Sequence, residues 1–260
     1  MPSIPGFWDT GPHDPLAVEA TWNEFVEVVN GELISHMLPK SPPFENADYL
    51  FRSHNVIAEL KEVETEFSKS RAFLAGFAEL HGRVVAENPA WRPLLFGGDG
   101  RYPPWFYPEF LRLFRAPIAR ILKKANRQIR ETKEHFNTPT ATGVLFFVND
   151  GFTHIGPDLI QALASQLLVH SYSSIDSFVY VTVNRYVAIP GSDVPRLMWA
   201  TAYSDRADDS LVEFIDDLGR KWFRFLEGKI GPFTLKDGET QDRGALKGSE
   251  SIVVPGEHSG

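Results

Sequence analysis

Residues 143–149, Gly-Val-Leu-Phe-Phe-Val-Asn, form an almost unbroken apolar run. A strand with one face in the core alternates apolar and polar residues, so a run without alternation suits a central strand covered on both faces. Residues 178–183 are a second buried-type strand, and residues 157–169 between them read as a helix with proline at a favoured first-turn position. Strands that alternate with helices in this way pair in parallel through crossover connections. The second half of the chain is therefore expected to be α/β.

Upstream, Val18, Trp22, Phe25, Val26 and Val29 recur at helical spacing over residues 16–30. Asn30-Gly31 then supplies an ending suited to positive φ, and residues 32–37 read as a strand before the Pro-rich turn at 39–43. Residues 47–52 and 55–63 read as two more strands, and 64–87 as a helix with Phe67, Leu74, Phe77 and Leu80 facing inward. Residues 88–108 read as a loop that Trp91, Trp105, Phe106 and Tyr107 pin to the core. Within it, Gly97-Gly98-Asp99-Gly100 reads as a turn, because it neither follows a strand nor opens a helix.

Over 117–136 a helical stripe of Ile118, Ile121, Leu122, Ala125, Ile129 and Phe136 opposes a basic face of Arg120, Lys123, Arg127 and Arg130. Lys124 and Gln128, one turn apart, lie along the edge of that stripe. Residues 197–203 fit one more strand, and 209–226 a final helix. The expected organisation is an irregular arm at 1–14, one domain over 15–236 with an insertion at about 64–116, and a flexible tail at 237–260.

With 260 residues, 43% of them hydrophobic, the chain can bury one sizeable core. No apolar run is long enough to span a bilayer, and the N-terminus lacks the pattern of a signal peptide, so no membrane partner is expected. The absence of cysteine excludes disulfides and thiolate zinc sites and is compatible with a cytoplasmic location. A net charge of -8 argues against sequence-blind attraction to polyphosphates, so any nucleic-acid contact must be local.

The chemistry concentrates in residues 46–63. Asp48 lies on the first of two adjacent strands, and Glu59 and Lys61, two positions apart on the second, point to one face. Two carboxylates and an ammonium so placed can hold a hard cation and position a water beside it. His54, between these strands, and Asp150, after the buried strand, read first as turn residues. None of the eight histidines falls in a His-Glu-x-x-His pattern, and no Gly-x-Ser-x-Gly elbow is present, which weakens zinc-hydrolase and serine-hydrolase readings.

The order helix, three strands, helix, strand, with Asp48 on the second strand and Glu59-Leu60-Lys61 on the third, resembles the PD-(D/E)XK nuclease superfamily, although Ala47 stands where the named motif has proline. The resemblance implies a restriction-endonuclease-like core with a mixed central sheet and a Mg²⁺-dependent endonuclease, with Mn²⁺ as a substitute. Asp48, Glu59 and the carbonyl of Leu60 would be metal ligands, and Lys61 would orient or help deprotonate the attacking water. Glu19 and Glu27 of the first helix, with Lys124 and Gln128, are supporting candidates. Arg120, Lys123, Arg127 and Arg130 are candidates for contacting DNA, and homodimerisation would let such an enzyme cut two strands. The alternative is a nuclease fold without turnover, acting as a nucleic-acid- or protein-binding module.

Overall fold

The computed structural model describes residues 13–93, 98, 101–153, 155–192, 194–233 and 247–252. Its centre is a mixed six-stranded sheet flanked by helices on both faces. In chain order the elements are α1 (Val18–Val28), β1 (Glu32–Leu33), β2 (Tyr49–Phe51), β3 (Val56–Val63), α2 (Arg71–Glu87), α3 (Phe106–His135), β4 (Thr142–Asn149), α4 (Pro157–Ser171), β5 (Ser177–Val181), β6 (Tyr186–Ala188), β7 (Trp199–Tyr203), α5 (Asp209–Ile230) and β8 (Glu250–Ile252). The sheet order is β1-β2-β3-β4-β5-β7; β3, β4 and β5 are parallel, and the outer pairings are antiparallel. No helix among the described residues is long and apolar enough to cross a membrane.

The uninterrupted apolar run of β4 follows from its position, since Val144 and Phe146 pack beneath α1 and α5 while Leu145 and Phe147 pack beneath α3 and α4. On the α1 side, Trp22 stacks on Trp222 at 4.5 Å between ring centroids and meets Phe146 at 4.7 Å, which ties α1 to α5 over the middle strand. Offset aromatic pairs of this kind add to the stabilisation from area burial.

Several expected bounds shift for local reasons. The strand expected at 32–37 pairs only over Glu32–Leu33 and then turns into a 3-10 segment, Ile34–His36, because β2 offers only three residues to pair with. The helix expected from 117 starts at Phe106 and runs through Pro117. Phe106, Phe110 and Phe114 continue its stripe, and their packing outweighs the backbone hydrogen bond that proline removes.

Leu74, expected inside, is 53% exposed; Phe77 and Leu80 of α2 face inward as expected, and with Val84 they pack against Trp91 and Phe106 in a satellite core. The Trp91 indole donates to the Arg101 carbonyl at 2.8 Å, so this loop is pinned as expected, while Tyr107 is exposed. Of Gly97-Gly98-Asp99-Gly100 only Gly98 lies among the described residues, and the expected arm and tail lie largely outside them. Glu250–Ile252, within that tail, pairs with β6.

Candidate active site

β3 is eight residues long, but β2 covers only Val56 to Ala58, so the C-terminal half of β3 has a strand partner on the β4 side alone. The vacated edge is a cleft of about 250 Å³ between α1 and α3, lined by residues that include Glu19, Asn23, Asp48, Tyr49, Glu59, Lys61, Glu62 and Gln128. Side chains alternate along β3, so Glu59 and Lys61 reach the cleft from the α3 face and Leu60 and Glu62 from the α1 face.

Asp48 is fixed on all sides. Its N–H donates to the Ala58 carbonyl at 3.1 Å, and its own carbonyl accepts from Ile34 N–H at 2.9 Å. The residues before it are latched by α3: the Ala47 N–H donates to Thr132 Oγ1 at 2.8 Å, and Gln128 Nε2 donates to the Asn46 carbonyl at 2.9 Å. Continuing the β2–β3 register from Tyr49 opposite Ala58 puts Asp48 directly across from Glu59. Beyond the end of the ladder, the Leu60 N–H donates to Asp48 Oδ2 at 2.8 Å. A residue's N–H and C=O leave a strand on the same side, so the Leu60 carbonyl also points to this edge.

Glu59 has no solvent exposure. Its Oε1 accepts from Lys61 Nζ, and its buried Oε2 has no hydrogen-bond donor among the described residues. The Asp48 and Glu59 carboxyls are in contact. Burial first, and the Asp48 charge second, push Glu59 up to about 8, against the opposing pull of Lys61. Burial likewise raises Asp48, while the Leu60 N–H and Lys61 pull it down. Two buried carboxyls in contact need either one proton or one cation between them.

Among the described residues no three or more His, Cys, Asp or Glu side chains are grouped to hold a metal ion. Beside Asp48 and Glu59 the cleft has the edge at which the Leu60 carbonyl points and Gln128, which is 9% exposed and whose Oε1 has no hydrogen-bond partner among the described residues; Glu19 and Glu62 also line it. An oxygen-only donor set of this size fits Mg²⁺ or Mn²⁺, which take one or two carboxylates and complete their shell with water and phosphate oxygens.

Of the sequence candidates, the cleft brings together Asp48, Glu59, Leu60, Lys61, Glu19 and Gln128. Glu27 and Lys124 are exposed and do not line it. The basic face of α3 is solvent-facing, with Arg127 paired to Glu45 and Arg130 near Glu131 and Glu134. The His54 ring lies 4.4 Å from Phe214, beside the N-terminal end of β3 and away from the cleft.

Sequence reasoning missed Asn23, Tyr49, Glu62 and Thr132. Asn23 follows Glu19 by one turn and Thr132 follows Gln128 by one turn, a spacing that could have revealed both. The Tyr49 hydroxyl donates to Asn23 Oδ1 at 3.0 Å, and burial, with the Asp48 charge, pushes the phenol upward. Burial and the neighbouring Asp150, Glu64 and Glu19 push Glu62 up to about 7.

The Thr132 latch gives a direct expectation. Thr132→Val keeps the shape but leaves the buried Ala47 N–H without an acceptor, so unfolding stability should fall by about 1–3 kcal/mol. Urea denaturation measures it, and an unchanged midpoint would mean that this bond does not hold residues 46–47. Compared with family models, curated proteins and solved structures, the chain matches none.

Proposed function

We propose that the chain is a divalent-cation-dependent nuclease that hydrolyses phosphodiester bonds in DNA, built on a restriction-endonuclease-like core of the PD-(D/E)XK type. The observation that carries this reading is the meeting of Asp48 and Glu59 on one sheet face, with Lys61 beside them, at the edge that β2 leaves open. The order of α1, β1 to β3, α3 and β4 is the order that the resemblance implies, with α2 inserted between β3 and α3 as a departure from it.

Asp48 and Glu59 would hold Mg²⁺, with the Leu60 carbonyl beside them. When bound, the cation supplies Lewis-acid stabilisation of charge on the phosphate and lowers the pKa of a nearby water. Lys61, a fifth exposed at the cleft, orients the attacking water and a phosphate oxygen by donating hydrogen bonds. As the water oxygen bonds to phosphorus, one P–O ester bond breaks. The water loses a proton to solvent at the open side, and the departing alkoxide takes one up.

A second reading, a nuclease fold that binds without turnover, is favoured by the Lys61–Glu59 ion pair, which engages both groups with each other. Incubation of plasmid DNA with and without Mg²⁺ separates the two. Cleavage by wild type that needs Mg²⁺ and falls at least roughly tenfold in Lys61→Ala supports the enzyme. DNA binding without cleavage supports the module, and equal cleavage by both proteins would reject Lys61 as part of the site.

A further inference from the structure

The cleft is rich in hydrogen-bond acceptors and poor in donors. Glu19, Asp48, Glu59 and Glu62 line it, and an ionised carboxylate only accepts. Two lining donors are engaged within the fold, Gln128 Nε2 with the Asn46 carbonyl and the Tyr49 hydroxyl with Asn23 Oδ1. Lys61 serves the α3 face, where it meets Glu59. Away from Lys61, the side-chain donors left for an incoming anion are the Asn23 amide nitrogen and the exposed Ser35 hydroxyl.

Asn23 is the more firmly held of the two. It stands on α1 one turn after Glu19, where the cleft meets an adjoining cavity of about 560 Å³. Tyr49, 1% exposed, donates to Asn23 Oδ1 at 3.0 Å. Burial first, then the charges of Asp48, Glu19 and Glu59, push this phenol up, so it keeps its proton and stays a donor. With the carboxamide oxygen held on the phenol, the nitrogen is turned away from it, and Asn23 Nδ2 has no acceptor among the described residues. The reversed amide would set Oδ1 beside the carboxylates of Glu19 and Glu62, so the lining selects the same orientation as Tyr49. A phosphate at the open edge of β3 thus meets Asp48, Glu59 and Lys61 on the α3 face and Asn23 on the α1 face.

We propose that Asn23 is a substrate-binding residue whose amide nitrogen donates to a phosphate oxygen of the DNA on the α1 side of the cleft, and that Tyr49 is the positioning residue that holds this amide; this rests on the nuclease reading above. Asn23→Asp keeps an acceptor for Tyr49 and removes the donor, while Asn23→Leu removes both and adds no charge. In steady-state Mg²⁺-dependent cleavage of plasmid, both variants should raise KM at least roughly tenfold with kcat within about threefold of wild type. Tyr49→Phe, which frees the amide to turn, should raise KM by only about threefold. A purely structural Asn23 gives another pattern, in which Asn23→Asp matches wild type and Asn23→Leu matches Tyr49→Phe. That pattern, or a rise in Asn23→Asp alone, which is charge repulsion, would overturn the assignment and leave the nuclease reading standing. Plasmid left intact by wild type would sink both.

Discussion

Glu59→Ala is expected to lower Mg²⁺-dependent cleavage by about 10³-fold, or about 4 kcal/mol of transition-state stabilisation. The reason is geometric. Glu59 stands directly across the sheet from Asp48, in contact with it and with Lys61, so its loss removes one of two candidate ligands and frees the lysine that should orient water. The loss should lie mainly in kcat, since Glu59 is fully buried and the exposed basic face of α3 is untouched. Single-turnover rates with saturating DNA measure it, and a variant within tenfold of wild type would remove Glu59 from the reaction.

In the absence of divalent ions the same residue should make stability depend on pH. Burial and the Asp48 charge hold Glu59 up at about 8, above its ordinary 4.5, so the folded chain binds this proton more tightly than the unfolded chain. Stability from Glu59 is therefore complete below about pH 4.5 and is lost as pH rises through about 8. At 1.36 kcal/mol per pH unit, the loss is on the order of 3–5 kcal/mol, or roughly 10 °C in melting temperature for a domain of this size.

Glu59→Gln abolishes the titration, and Lys61, partly exposed, keeps access to water. In EDTA, between pH 5 and 8.5, wild type should lose roughly 10 °C more than the variant, and Mg²⁺ at pH 8 should restore wild type alone. Superimposable profiles would show that the Asp48–Glu59 contact carries no such strain.

The sheet was legible where local pattern and tertiary demand agree. The unbroken apolar runs of β4 and β5 mark strands covered on both faces, and their parallel pairing followed from the helix between them. Residues 46–63 were legible as two strands joined by a turn, although Asn55, expected to open the second strand, belongs to the turn at φ 53°, in the left-handed region that asparagine tolerates. That was enough to put Glu59 and Lys61 on one face; that Asp48 shares it follows from the β2–β3 register.

The rest depends on contacts that no local pattern encodes. Helix α3 extends past Pro117 because a satellite core far along the chain buries Phe106. The cleft exists because β2 stops short of Asp48, and residues 46–47 are held by Gln128 and Thr132 more than eighty positions away. Lys124 and Gln128 looked equivalent on the edge of the α3 stripe. Forty degrees of helical rotation separates a buried amide from a solvent-facing amine.

Isothermal titration of Mn²⁺ into wild type, Asp48→Asn and Glu59→Gln tests the central claim most directly. One ion should bind per wild-type chain, with proton release at pH 7, and neither variant should bind it. Identical isotherms for all three proteins, or no heat in any of them, would contradict a cation site formed by Asp48 and Glu59.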